Sequence, residues 1–274
     1  MIKFSHTVFA LPFALTGALL AAGGIPALRQ IVWIMLAMVG ARTAAMAMNR
    51  LIDADIDARN PRTAGRAIPA GLIGKGLTLF FIFASVALML FSAAMLNPLC
   101  LKLSPIALFF LALYSYCKRF TSLAHVVLGV CLAAAPIGAW VAIRGTLDAP
   151  ALLLGAAVLF WVAGFDILYA LQDLEFDRKS GLHSIPVLLG VNGSLRTARI
   201  FHTIMIGLLF TLFTSLRLGW PFAVGIILAA AMLLYEHWLL RNGNLEKLDA
   251  AFFNMNGYIS VAVLFFTIAE VLAR

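Results

Sequence analysis

Nine stretches of the chain, at roughly 7–24, 28–52, 77–96, 99–117, 122–143, 150–172, 197–217, 220–240 and 250–272, each supply close to the 20 apolar residues that a helix needs to cross a bilayer. In hydrocarbon every backbone polar group must be bonded inside the protein, so unbroken spans of this kind fold as helices. Composition agrees, with 63% hydrophobic and 12% charged residues and a mean hydropathy of +1.01. Soluble domains are nearer half apolar and a quarter charged. The expected fold class is an all-α integral membrane protein of nine transmembrane helices. Its 274 residues form a single domain, because the longest polar stretches run only over about 53–76 and 173–196. Lys3 and the apolar stretch after it lack a small-residue cleavage site, so they read as the first span.

The formal charge of +8 is carried by loops. No aromatic and basic surface module accompanies it, which excludes nucleic acid as the partner. The N-terminus and the loops after spans 2, 4, 6 and 8 hold fourteen Lys and Arg, the opposite side five, and Arg42 lies inside span 2. That bias predicts a cytoplasmic N-terminus, cytoplasmic acidic loops and an external C-terminus, in the cell's inner (cytoplasmic) membrane. Cys100, Cys117 and Cys131 lie in or beside apolar segments and form neither a disulfide framework nor a zinc spacing.

Two acidic clusters stand at span ends on the predicted cytoplasmic side. In N-R-L-I-D-A-D-I-D, Asn49, Asp53 and Asp57 recur every four residues and share a helix face, with Asp55 off it. Asp173 and Asp177 repeat the spacing, with Tyr169 one turn and Asp166 about two turns earlier. An Ile-Pro follows each cluster, at Ile68-Pro69 and Ile185-Pro186, which hints at a duplicated helix-plus-acidic-loop unit. Carboxylates near hydrocarbon are costly, and their default reading is functional.

Carboxylate and amide oxygens are hard ligands suited to Mg2+, which binds through one or two carboxylates plus substrate phosphates. Arg59, Arg62, Arg66, Lys118, Arg119 and Lys179 lie on the same side and can meet the remaining phosphate oxygens. The combination describes a diphosphate clamp. If the organic part is a long isoprenoid, the membrane location is explained. Ionisation would leave an allylic cation beside the ring faces of Tyr169, Tyr114 and Tyr116, with an electron-rich aromatic ring as the nucleophile.

The segments N-R-L-I-D-A-D-I-D at 49–57 and D-I-L-Y-A-L-Q-D-L-E-F-D at 166–177 resemble the two signature motifs of the UbiA superfamily of intramembrane aromatic prenyltransferases. Y-S-Y-C-K-R-F-T at 114–121 and N-P-R-T-A-G-R-A-I-P-A-G at 60–71 match as well. The resemblance implies nine helices around a central cavity capped by cytoplasmic loops. It also implies Mg2+ bridging Asn49, Asp53, Asp57, Asp173 and Asp177 to a polyprenyl diphosphate. Arg62, Arg66, Lys118, Arg119 and Lys179 would then bind diphosphate, and Tyr169 and Gln172 would line the reacting centre. Arg42, seven residues before Asn49, would either hold an acceptor carboxylate or pair with an acidic residue. The opening I-K-F-S-H-T-V-F-A-L-P-F-A-L resembles the 4-hydroxybenzoate polyprenyltransferase branch, which includes menaquinone enzymes acting on a dihydroxynaphthoate. The implied activity is transfer of a polyprenyl chain to a ring carbon of an aromatic acid in quinone biosynthesis, with the bilayer as surroundings.

Two competing classes fit less well. A CDP-alcohol phosphotransferase concentrates its acids in one run, and a secondary transporter places them at midplane. His6 and His125 read as hydrogen-bonded packing, His183 is open between phosphate contact and surface, and Asp55 and Glu175 are expected at the surface. Pro12, Pro105 and Pro136 are expected to kink their spans or open the backbone towards a cavity, and Gly138, Gly155 and Gly164 to permit close helix approach. Asn192-Gly193-Ser194 reads as a turn.

Overall fold

A computed structural model describes residues 7–241 and 255–274. Lys3, His6, Lys247 and the first residues of the ninth expected span lie outside the described residues.

The described residues form helices and turns: α1 (Thr7–Ala22), α2 (Leu28–Ile52), α3 (Ala54–Arg59), α4 (Lys75–Leu96), α5 (Pro98–Cys117), α6 (Ala124–Arg144), α7 (Ala149–Ala170), α8 (Leu174–Lys179), α9 (Ile185–Ser215), α10 (Trp220–Leu239) and α11 (Asn256–Ala273). Eight of the helical segments are long and apolar enough to cross a membrane, and α1 is a shorter apolar helix of 16 residues. Among the described residues, apolar helices therefore stand at all nine expected positions, eight of them of crossing length.

The segment built on α7 is the central pillar. Of its best apolar window 67% is buried within the protein, against at most 39% in any other span. It packs between α6 and α9, while α1 fits between α6 and α11, and α2 lies against α4. Trp161 anchors this core: its ring lies 4.9 Å from that of Phe13 and 5.1 Å from that of Phe165, and its Nε1 donates to Asn256 Oδ1 at 2.8 Å. Asn256 Nδ2 donates in turn to Glu236 at 3.3 Å, so one polar chain joins α7, α10 and α11. α2 and α4 approach backbone to backbone at Gly40, where a methyl group would stand 2.7 Å from Met89 N. Of the glycines expected at close contacts, Gly155 and Gly164 meet Ile137 and His202, whereas Gly138 faces open space. Pro12, Pro105 and Pro136 sit inside continuous α1, α5 and α6.

The start and the interior of α9 differ from the expectation. α9 begins at Ile185, twelve residues before the expected start of its span, because Ser184 accepts from Val187 N at 3.3 Å and Pro186 fits the first turn. Within it the chain kinks at Gly190 (φ 66, ψ −175). That backbone region is open essentially to glycine alone. The break falls there, and Asn192-Gly193-Ser194 is helical, not a turn.

Candidate functional site

The two acidic motifs are built alike. α2 stops at Ile52, Asp53 takes φ −90, ψ 5, and the six-residue α3 follows. α7 passes through a 3-10 turn, Leu171–Asp173, and Asp173 takes φ −99, ψ 2 before the six-residue α8. Both aspartates thus occupy the sparsely populated bridge between helical and extended backbone, where site residues often sit. Neither side chain caps the helix that follows, so both carboxylates are free for other partners. The helical face expected to run unbroken from Asn49 to Asp57 is interrupted at Asp53, yet Asn49 Nδ2 still donates to Asp53 Oδ2 at 2.8 Å.

The loop after α3 joins the two motifs. Asn60 is buried and donates from Nδ2 to Asp173 Oδ1 at 3.2 Å, while its Oδ1 accepts from Arg62 N at 3.0 Å. Arg62 grips Asp173 with both arms of its fork: Nε donates to Oδ1 at 2.8 Å and Nη2 donates to Oδ2. Its Nη1 donates to Tyr169 Oη at 3.1 Å. Burial alone would lower the Arg62 guanidinium, but the hydrogen bond and charge of Asp173 outweigh it and hold it above its ordinary value. Farther along the loop, Arg66 Nη1 lies 2.6 Å from each Asp57 oxygen.

Cations from other elements complete the set. Arg50 Nη1 stands 3.9 Å from Asp57, and Lys118 Nζ at the end of α5 stands 3.8 Å from Asp177. Arg119 Nη2 donates to Ile52 O at 2.8 Å and lies 3.4 Å from Asp53 Oδ1, closing the end of α2. Burial pushes the Asp53 carboxyl above its usual range, an effect that Arg119 opposes and neighbouring Asp57 reinforces.

The acidic residues of both motifs surround one cavity of about 140 Å³. Its wall holds the carboxylates of Asp53, Asp57, Asp166, Asp173 and Asp177, against the cations Arg62, Arg66 and Lys118. Asn49, Asn60, Tyr114 and Tyr169 add neutral oxygens and two aromatic rings. With Arg50 and Arg119, which stand just outside the wall within 4.0 Å of Asp57 and Asp53, five cations face the five carboxylates, and each of the four motif aspartates is ion-paired. Asp57, Asp173 and Asp177 are 5%, 6% and 2% exposed, so these pairs sit largely out of water, where carboxylates need counter-cations.

The donor chemistry fits a divalent ion. Asp177 Oδ2 is buried without a hydrogen-bond partner and faces a cavity lined by hard oxygen donors. Among the described residues no three His, Cys, Asp or Glu side chains converge on a point as a ready-made cage. That suits Mg2+, which takes one or two carboxylates and completes its shell with phosphate and water.

Not every expected residue reaches the cavity wall. Lys179 points to solvent at 80% side-chain exposure, paired with the equally exposed Glu175. Arg119 faces a shallower depression beside Asp55 and Arg59, on the far side of Ile56 and Leu182. Gln172 is half-buried outside the wall, and Arg42 lies two turns further into α2, also outside it. His183 is exposed and tied through its backbone N to Lys118 O at 2.7 Å. In contrast, Asn60 and Arg50 carry more of the site than their sequence context indicated. Asn60 is neutral, and Arg50 reads as an ordinary flanking cation. His125, expected as hydrogen-bonded packing, pairs with Asp166 at 2.7 Å.

Comparison with known proteins agrees with this geometry. The model of the UbiA prenyltransferase family matches residues 10–258. A 4-hydroxybenzoate octaprenyltransferase of Vibrio cholerae is 32% identical over 246 residues, covering 89% of this chain and 86% of the relative. A protein of the same name from Tolumonas auensis is 30% identical, covering 86% and 82%. Among solved structures, the apo form of a UbiA homolog from Aeropyrum pernix superposes with a TM-score of 0.90 at 33% identity, over 98% of this chain and 99% of the other. A UbiA homolog from Archaeoglobus fulgidus bound to DMAPP and Mg2+ shares the fold, with a TM-score of 0.74 at 21% identity over 98% of each chain. This chain, a multi-span membrane protein with two matched acidic helix breaks around one cavity, belongs to the UbiA prenyltransferase family.

Proposed function

We propose that the protein transfers a polyprenyl chain from its diphosphate to a ring carbon of an aromatic acid of the 4-hydroxybenzoate type, releasing diphosphate. The whole chain acts as one domain. The observation that carries the reading is the pair of helix breaks that bring four motif aspartates and three cations to one wall. An organic diphosphate needs both signs there, cations for its oxygens and carboxylates for the divalent ions that accompany it. The names of the bacterial relatives and the DMAPP and Mg2+ of the archaeal homologue support it.

Asn49, Asp53, Asp57, Asp173 and Asp177 hold Mg2+ in this reading, and the ion, when bound, neutralises charge on the departing diphosphate. Arg62, Arg66 and Lys118 bind the diphosphate oxygens. In the structure each rests against a carboxylate, so binding of the diphosphate would exchange carboxylate partners for phosphate ones. Arg119 fixes the end of α2 and orients Asp53. Tyr169, held by Arg62, and Tyr114 present ring faces to the allylic cation. Arg42 stays a candidate for the acceptor carboxylate only if the cavity deepens along α2 on binding. The loops carrying the motifs face the cytoplasm in this reading, as the Lys and Arg bias supports.

The test is turnover by the detergent-purified protein with a labelled prenyl diphosphate, offered 4-hydroxybenzoate and 1,4-dihydroxy-6-naphthoate separately. Prenylated 4-hydroxybenzoate is the expected product. Product with the naphthoate alone would move the protein to the menaquinone route. Asp53→Ala and Asp173→Ala are each expected to lower turnover by about 10²–10³ or more while the protein still inserts and folds. Normal turnover in either would refute the metal assignment.

A further inference from the structure

One buried pair on the cavity takes no part in the clamp. Asp166 on α7 lines the same wall as the motif carboxylates, seven residues deeper than Asp173, which is about 10 Å along the helix at 1.5 Å per residue. Tyr169 lies between them. The four motif aspartates each face a Lys or Arg within 4.0 Å, whereas Asp166 faces a histidine. His125 Nδ1 on α6 meets Asp166 Oδ2 at 2.7 Å. The imidazole side chain is 1% exposed and the carboxylate 17%, so Asp166 fronts the cavity with His125 behind it. His125 Nε2 is buried with no hydrogen-bond partner. A pair placed inside two apolar spans carries a desolvation cost that packing alone does not require.

We propose that Asp166 is the general base for the acceptor and that His125 positions it. The proposal rests on the transfer reading above and adds where the acceptor proton goes. With the diphosphate held by the cations at the mouth, the reacting carbon and the aromatic ring lie deeper, at the level of Tyr169 and Asp166. The acceptor O–H bond breaks, its proton moves to the Asp166 carboxylate, and its electron pair stays on the acceptor oxygen. The phenolate so formed directs its adjacent ring carbon to the allylic carbon as the bond to diphosphate breaks, the electron pair leaving with diphosphate. Transfer of the ring carbon's own proton to the acceptor oxygen restores the hydroxyl. One proton, held on Asp166, leaves with diphosphate. His125, donating from Nδ1, aims the second carboxylate oxygen at the cavity, as an orienting partner does for the base of a catalytic triad.

A packing role and a base role differ in how the loss depends on acceptor acidity. The experiment measures kcat of the parent, Asp166→Asn and His125→Asn with 4-hydroxybenzoate and its 2-fluoro and 3-fluoro analogues, alongside binding of a labelled prenyl diphosphate. Fluorine acidifies the phenol and lessens the need for a base. Asp166→Asn is expected to lose about 10²–10⁴ on 4-hydroxybenzoate. The loss shrinks at least about tenfold on the 3-fluoro analogue, and diphosphate binding stays within about threefold of the parent. His125→Asn, which keeps a donor near the position of Nδ1, shows a smaller loss with the same trend. An equal loss across all three acceptors, or no loss, overturns the base assignment while the transfer reading stands. Failure of the parent to prenylate any acceptor overturns both. Loss of diphosphate binding in both variants assigns the pair to packing and overturns the proposal.

Discussion

Arg62 makes contacts that only a planar fork can make together: two to Asp173 and one to Tyr169. Lysine is a single point charge and can keep one of them. Arg62→Lys is therefore expected to raise KM for the prenyl diphosphate about tenfold, corresponding to ~1.4 kcal/mol, with a smaller change in kcat. Steady-state kinetics with saturating acceptor checks this, and an unchanged KM would remove Arg62 from the diphosphate. At this scale the sequence marked the residues whose charge is expensive beside hydrocarbon, and Asp53, Asp57, Asp173, Asp177, Arg62, Arg66 and Lys118 do meet at one cavity. Whether a residue lines that cavity depends on direction as well as charge. Asp177 faces inward, so Lys179, two positions on along a helix, faces out. Arg119, in the turn after α5, closes the end of α2 and does not line the wall. Asn60 has no charge to mark it, and its two hydrogen bonds between the motifs follow only from the loop's course.

The elements that position these residues are two helices that end in the same way. A transmembrane helix continued straight through Asp53 or Asp173 would carry its acidic residues away from the membrane face. The bridge conformation at Asp53 and Asp173 interrupts each helix there, and Asp57 and Asp177 four residues on still line the same cavity. Helix spans were legible because apolar runs of span length have one backbone solution in lipid. The start of α9 was not, because its first turns are polar enough to resemble loop, and only the Ser184 cap with Pro186 marks them. Close packing carries the other side of the site: α2 holds Asn49 where it does because Gly40 lets it touch the backbone of α4. Gly40→Val is expected to force the two helices apart and destabilise the protein by ~1–3 kcal/mol. Thermal unfolding in detergent would show this as a lower Tm, and an unchanged Tm would mean that the contact is not tight.

The molecule as a whole pairs a basic surface with an acidic interior site. A chain of formal charge +8 closes around a wall of five carboxylates, and the cations beside them are held in ion pairs. A wall whose cations are already paired with carboxylates holds a bare diphosphate poorly and accepts one accompanied by divalent cations, which is the central claim of this account. The opposed signs were visible along the chain, but their convergence was not. Residues more than a hundred positions apart, Arg62 and Asp173 among them, meet only because α7 runs through the centre of the bundle. The most direct test is binding of a labelled prenyl diphosphate to the purified protein, titrated with Mg2+ and with EDTA, in the parent and in Asp53→Ala and Asp173→Ala. The account predicts tight binding only with Mg2+, reversal by EDTA, and at least about tenfold weaker metal-dependent binding in each variant. Equally tight binding in EDTA, or variants that keep the parent's metal dependence, would contradict it.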